Sequence, residues 1–273
     1  MWSKGVDQGL TTAPVQGIHE YRTATQGPAY PLGTKFWYGD RCYKYAKAGG
    51  TLIVHRAVAA GPYGISSWKV VGTETPAGSD QIYATIGTGE GGGGDGKVDK
   101  DELVGGYVVV FRLQAGADNT DYCFRIEANT VVATNGGTTI LTIDQPLPFT
   151  CSTSAYTEIT GNPYFEVKHI TSGNRMFMGQ PMYPATTTNC YLWLQTFGPT
   201  WLNPETGAGS DVFGNVNGGN QAVFEQNGSV VMHSAEDAAA GPLMKQHAGC
   251  VMNRVAGGAN TQGTPLFFLQ VSC

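Results

Sequence analysis

The chain has 273 residues, of which 41% are hydrophobic and only 14% charged, with a formal net charge of −5. That length holds one large domain or two smaller ones around a core that needs no disulfide staples. The lack of any Lys/Arg run argues against nucleic-acid binding, and the longest aliphatic or aromatic run, Tyr107 to Phe111, is far too short to span a membrane as a helix.

Thirty-nine glycines and fourteen prolines, with few Lys and Glu, leave little material for helices. Such a composition suits short strands joined by tight turns. The shortage of charge has two readings. Thr, Asn, Gln and Ser supply the polar surface, or much of the exterior lies against other subunits. The six cysteines (Cys42, Cys123, Cys151, Cys190, Cys250 and Cys273) form no C-x-x-C pair. With no apolar signal segment after Met1, they are expected to be reduced thiols in a protein assembled in the cytoplasm.

Residues 1–30 are polar and without periodicity, and are expected to form an extended arm. Residues 31–75 are expected to hold a hairpin and a linking segment. The hairpin is KFWYGDRCYKYA (35–46), turning at Gly39-Asp40, a pair suited to a type II′ turn. A first β domain is expected over 76–157. Its strands are QIYATIGT (81–88), VGGYVVVFRL (104–113), DYCFRIE (121–127) and 138–144. In DYCFRIE, Tyr122, Phe124 and Ile126 alternate with Cys123, Arg125 and Glu127, the period of a half-buried strand. Asn135-Gly136-Gly137 offers a turn after Val131-Val132.

A second β domain is expected over 158–273, with strands near 164–170, 189–197, 221–226, 229–233, 247–253 and 265–271. Asn227-Gly228 is the best type I′ hairpin signal, and the one helical candidate is Ser234 to Ala240. The fold class expected is therefore all-β, with two small barrel or sandwich units preceded by the arm and the hairpin.

Motifs for chemistry are weak. Gly89, Gly91 and Gly94 match G-x-G-x-x-G after a strand, but no amphipathic helix follows to face a pyrophosphate, so the stretch is expected to be a loop. Asp95, Asp99, Asp101 and Glu102 fail the EF-hand spacing, with Lys100 and Gly106 where Gly and Glu are required. They are expected to be a solvated turn. His19, His55, His169, His233 and His247 form no zincin or H-x-H pattern. No catalytic residue, metal site or cofactor is expected. A carboxylate pair for sugar cleavage is the least favoured alternative.

Three segments carry a resemblance: PLGTKFWYGDRCYKYAKAGG (31–50); DELVGGYVVV (101–110) followed by DYCFRIEANT and TTILTIDQPLP; and MGQPMYPATTTNCYLWLQTFGPTWL (178–202) followed by PLFFLQV. Together they resemble a diffuse group of small virion proteins of tailed phages, usually assigned to capsid decoration (cement) or related head proteins. The resemblance implies an oligomeric all-β virion protein, often a trimer, whose partners are the major capsid protein and copies of itself. It carries over no active-site residue. A tail, fibre or filament subunit shares the same look. Trp37, Tyr38, Tyr191, Trp193, Phe197, Pro199 and Trp201 are the residues expected at a subunit interface or in buried structure beneath it, with Trp193 assigned to core and Trp201 to interface.

Overall fold

The computed structural model describes residues 14–61, 64–90, 95–111, 121–133, 135–170, 175–204, 221–225, 227–232, 246–253 and 266–271, with 64–69, 232 and 253 as backbone only. In chain order the strands begin with β1 (Tyr21–Arg22), β2 (Lys35–Tyr38), β3 (Arg41–Lys47) and β4 (Val58–Ala59). Next come β5 (Gly64–Thr73), β6 (Gln81–Ile86), β7 (Tyr107–Phe111), β8 (Asp121–Asn129), β9 (Gly137–Ile143) and β10 (Tyr156–Thr160). The last are β11 (Phe177–Pro181), β12 (Tyr191–Thr200), β13 (Gln221–Phe224), β14 (Val230–Met232), β15 (His247–Asn253) and β16 (Leu266–Gln270). The protein is all-β. The chain divides into two compact units, one of residues 62–163 and one combining the segment up to Gly61 with the segment from Tyr164.

The unit of residues 62–163 is a closed antiparallel barrel in the order β10-β5-β6-β9-β8-β7. Closure removes sheet edges. It also gives each strand one wet and one dry face. In β8, Phe124 and Ile126 are buried while Cys123, Arg125 and Glu127 are exposed, as the alternation predicts, and a register shift after Ile126 then brings Asn129 to a buried position. The interior is filled by Ile82, Ala84, Ile86, Val108, Val110, Phe124, Ile126, Leu141, Ile143 and Ile159. β5 lies where the sequence shows no clear period, yet it pairs with both β6 and β10. Val132 does not lead directly into β9. It bridges Val98 instead, ahead of the turn at Gly136.

The other unit is built on β12. The strand order β14-β13-β15-β16-β12-β11-β4 forms its main path, with β3 also paired to β12, β2 outside β3, and β1 on β12. The β2–β3 hairpin turns at Gly39-Asp40 as expected. Gly39 has φ +61 and Asp40 is not left-handed, which is the type II′ pattern. Among the described residues, three buried clusters lie against the sheet. One holds Leu52, Val58, Val167, Met178, Leu192 and Leu194. A second holds Ala57, Phe177, Leu202, Phe224, Phe267 and Leu269. The third is aromatic: Phe36, Tyr43, Tyr45 and Trp193.

Three local expectations are corrected. Residues 164–170 form no strand. Glu166 takes φ +55, so the segment bends and contributes only single bridges, Val167 to Ala48 and Lys168 to Ala59. Asn227-Gly228 does not make a type I′ turn, since Gly228 has φ +80 but Asn227 is not left-handed. Instead, the Asn227 side-chain oxygen accepts the Ser229 amide at 2.8 Å, and the Gly228 amide donates to the Glu225 carbonyl at 2.9 Å. Residues 14–30 of the expected arm lie on their own chain. Gln16 is buried beside Trp193, and Ile18, Ala29 and Tyr30 pack against the aromatic cluster. The helical candidate at 234–240 lies outside the described residues.

Candidate interaction surface

The seven aromatic and proline candidates fall into separate places, and a break in the alternation of β12 decides which. From Tyr191 to Gln195 the strand faces β3 in regular register, Trp193 opposite Tyr45 and Gln195 opposite Tyr43. A bulge follows, and Phe197 lands opposite Cys42. One extra residue moves the next side chain to the opposite face. Trp193 therefore points into the aromatic cluster, while Phe197 points to the other side of the sheet.

Trp193 is 0% exposed, so it is core. Its ring meets Tyr45 at 5.1 Å, and its indole N–H donates to the Gln16 carbonyl at 3.2 Å. The Tyr45 hydroxyl donates to Gln16 Oε1 at 2.5 Å and accepts the Ala29 amide at 3.2 Å. Burial pushes the Tyr45 phenol up to about 12. Tyr191 is half-buried at the margin of this cluster, stacked on Tyr45 at 6.3 Å. Trp201 is separate and half-buried, with its ring edge-on to His55 at 4.6 Å.

Across the bulge, Trp37, Phe197 and Pro199 come together on one face. Trp37 pairs with Cys42, and Cys42 with Phe197. Strands two apart in a sheet are about 10 Å apart. The Trp37 and Phe197 rings nonetheless approach to 5.7 Å, so they lean together over β3, where Cys42 is fully buried. Phe197 meets Phe268 of β16 edge-on at 4.9 Å. Phe268 is paired with Cys250 of β15, which is half-buried. On the same two strands, Leu266 and Met252 are 42% and 50% exposed. The result is an apolar row crossing the sheet from β15 to β2.

The row ends at a free edge. β2 pairs only with β3 among the described residues. Trp37 is 40% exposed and Tyr38, on the opposite face beside Phe36, is 68% exposed. Lys35 stands beside the row, its Nζ 5.1 Å from the Trp37 ring centroid, a cation–π contact, and is paired with Lys44 of β3. Phe268, Cys250, Leu266 and Met252 were not singled out from sequence. The doubled Phe267-Phe268 carries the signal, since adjacent strand residues face opposite ways. Phe267 is buried and Phe268 is half-exposed.

The sequence motifs resolve into turns. No helix begins after Gly89 among the described residues, and Gly91 and Gly94 lie outside them. Two of the four carboxylates of 95–102 serve backbone amides. Asp95 accepts the Lys97 N–H at 3.1 Å, which holds its carboxyl below the usual range, and Glu102 accepts the Asp99 N–H at 2.5 Å. Among the described residues no three His, Cys, Asp or Glu side chains are grouped to hold a metal ion. Cys42, Cys151 and Cys190 are buried cysteines, Cys123 is exposed and Cys250 half-buried. No protein family, curated protein or solved structure matches the chain.

Proposed function

We propose that this chain is a non-enzymatic structural subunit of a tailed-phage particle, binding the capsid and bridging its subunits as a decoration protein. The observation that carries the reading is the Trp37–Phe197–Phe268 row running out to the free edge of β2. Aromatic side chains and a scarcity of charge are the marks of an interface centre rather than of a surface made for water. A stable contact of this kind buries about 800 Å² per partner. A row spanning several strands, with Lys35 at its rim, is the sort of surface that supplies it. The resemblance of segments 31–50, 101–110, 121–130, 138–148, 178–202 and 265–271 to small virion proteins points the same way and implies the partner, the major capsid protein. The reading assigns no catalytic step and no cofactor.

The test is the copy number in purified particles, measured by quantitative mass spectrometry against the major capsid protein. A simple lattice ratio, such as about one to one, supports decoration of the shell. A ratio of a few per cent moves the protein to the tail or fibres. Its absence from particles overturns the reading.

A further inference from the structure

We infer that two copies of this chain pair through β2, edge to edge and antiparallel, about a two-fold axis at Phe36. The inference deepens the reading of this face as an assembly interface, and rests on it. The register of the hairpin fixes which backbone groups are free. The Tyr45 amide donates to the Thr34 carbonyl at 2.9 Å, and Tyr38 pairs with Arg41 across the turn. In an antiparallel ladder, alternate residues bond inward. The Thr34 carbonyl and the backbone groups of Phe36 and Tyr38 therefore face β3, and the N–H and C=O groups of Lys35 and Trp37 point away from it. A free edge of this kind is a template for another strand.

Charge selects the occupant and the register. Centring the axis on Lys35 sets two ammonium groups face to face, which is unfavourable for directly opposed residues. Centring it on Trp37 sets Lys35 against Gly39, a turn residue with φ +61 that does not extend the strand. Centring it on Phe36 sets each Lys35 against the partner's Trp37. Four backbone hydrogen bonds form, and each ammonium gains a second indole face beside its own. Four short-strand bonds alone make a weak contact. The same register also joins the two aromatic rows into one continuous apolar face, with each Trp37 closed in by its own Phe197 and the partner's Lys35. A short edge carrying a lysine commonly serves to prevent pairing. Here the lysine matches the aromatic residue it would meet.

The test is light scattering on the isolated full chain between about 1 and 100 µM, a range that brackets weak specific association, combined with amide exchange on the same samples. Expected is a concentration-dependent rise to twice the chain mass of 28.9 kDa. Lys35→Glu, which places a carboxylate against the ring face, and Lys35→Pro, which removes the outward amide, each weaken the dimer at least about tenfold. In the unaltered chain the Lys35 and Trp37 amides become protected as concentration rises, which reports on the edge even where a variant misfolds. A monomer at every concentration, a trimer, or a dimer that leaves those two amides unprotected overturns the inference. Particle copy number is a separate readout, so failure of the pairing and failure of the capsid reading are distinguishable.

Discussion

The Nε2 atom of His169 accepts the backbone N–H of Ile53 at 2.8 Å, while its Nδ1 lies 3.1 Å from the Ala57 carbonyl oxygen. An amide N–H only donates, so Nε2 carries no proton, and the one ring proton of the neutral imidazole sits on Nδ1 and is donated to Ala57. The segment it spans is pinned further. The Gln180 side chain donates to Val54 O at 2.6 Å and to Trp201 O at 3.0 Å, and the Asn203 amide donates to His55 O at 2.7 Å.

Protonation of His169 breaks the Ile53 bond, so this unit loses stability in acid. Burial holds the imidazole below its ordinary value. The Ala57 carbonyl pulls upward, and the charge of Arg56 adds to the lowering. The unfolded chain therefore binds the proton more readily than the folded one. The contribution of the neutral ring is fully present above about pH 6.5 and is lost as pH falls toward the lowered folded value. Thermal midpoints of the parent and of His169→Ala, taken from pH 8 down to pH 5, check this. The variant is less stable at pH 8 by about 1–3 kcal/mol, and the gap between the two curves narrows in acid. A gap constant with pH would refute it.

Trp193 and Trp37 separate core from surface. Trp193→Ala removes a fully buried ring and the anchor of Gln16, and costs about 3–5 kcal/mol. Trp37→Ala removes a ring that is already partly in water, and costs about 1 kcal/mol or less. Urea unfolding of the two variants, followed in the unit that contains both, gives the comparison. Equal losses would mean that Trp37 is as structural as Trp193.

The hairpin at 35–46 and the alternation of β8 were legible because each is set by neighbours in sequence. Gly39-Asp40 dictates a turn, and Tyr122 to Glu127 dictate two faces. The even spacing of Tyr191, Trp193 and Phe197 does not by itself report their faces. It places all three on one face only if the strand is regular, and the bulge after Gln195 sends Phe197 to the other. β5 was illegible because part of its order comes from β10, a strand far along the chain that closes the barrel against it. The aromatic row was only partly legible. Trp37, Phe197 and Phe268 sit on strands far apart in the chain, and nothing in the spacing of one strand reports its neighbour in the sheet.

Gly228 shows the same dependence on distant structure. Its φ of +80 is a conformation that L side chains rarely adopt, and a Cβ there would lie 2.0 Å from the Ala57 carbonyl oxygen. The Ala57 amide also donates to Gly228 O at 2.8 Å, which fixes the approach. Gly228→Ala is expected to cost about 3 kcal/mol through strain and collision together. Asn227→Ala, which removes the side-chain bonds to Ser229, is expected to cost about 1 kcal/mol. Chemical denaturation of both variants gives the order. Asn227→Ala proving the worse would mean that the turn is held by its cap rather than by the close backbone contact.

In the barrel unit, Asn129 closes the 95–105 turn onto β8. The side chain is buried. Its Oδ1 accepts the Leu103 amide at 2.8 Å, and its Nδ2 donates to the carbonyls of Asp99 at 2.8 Å and Thr130 at 3.0 Å. Asn129→Ala leaves the Leu103 amide without its acceptor and takes one donor from each carbonyl, Asp99 O keeping the Glu102 N–H and Thr130 O the Thr139 hydroxyl, and is expected to cost about 2 kcal/mol. Asn129→Asp keeps the shape and the acceptor for Leu103 but turns a carboxylate oxygen toward two carbonyls, so at pH 8 it is expected to be no better than alanine. Protonating that carboxyl restores one donor. The folded state therefore holds the aspartic acid proton more tightly than the unfolded chain does, and the deficit of Asn129→Asp shrinks as pH falls below the raised folded value. Thermal unfolding of both variants at pH 8 and pH 5 decides it. The aspartate variant gains on the alanine variant in acid if Asn129 acts as a donor, and an unchanged difference would assign its role to packing alone.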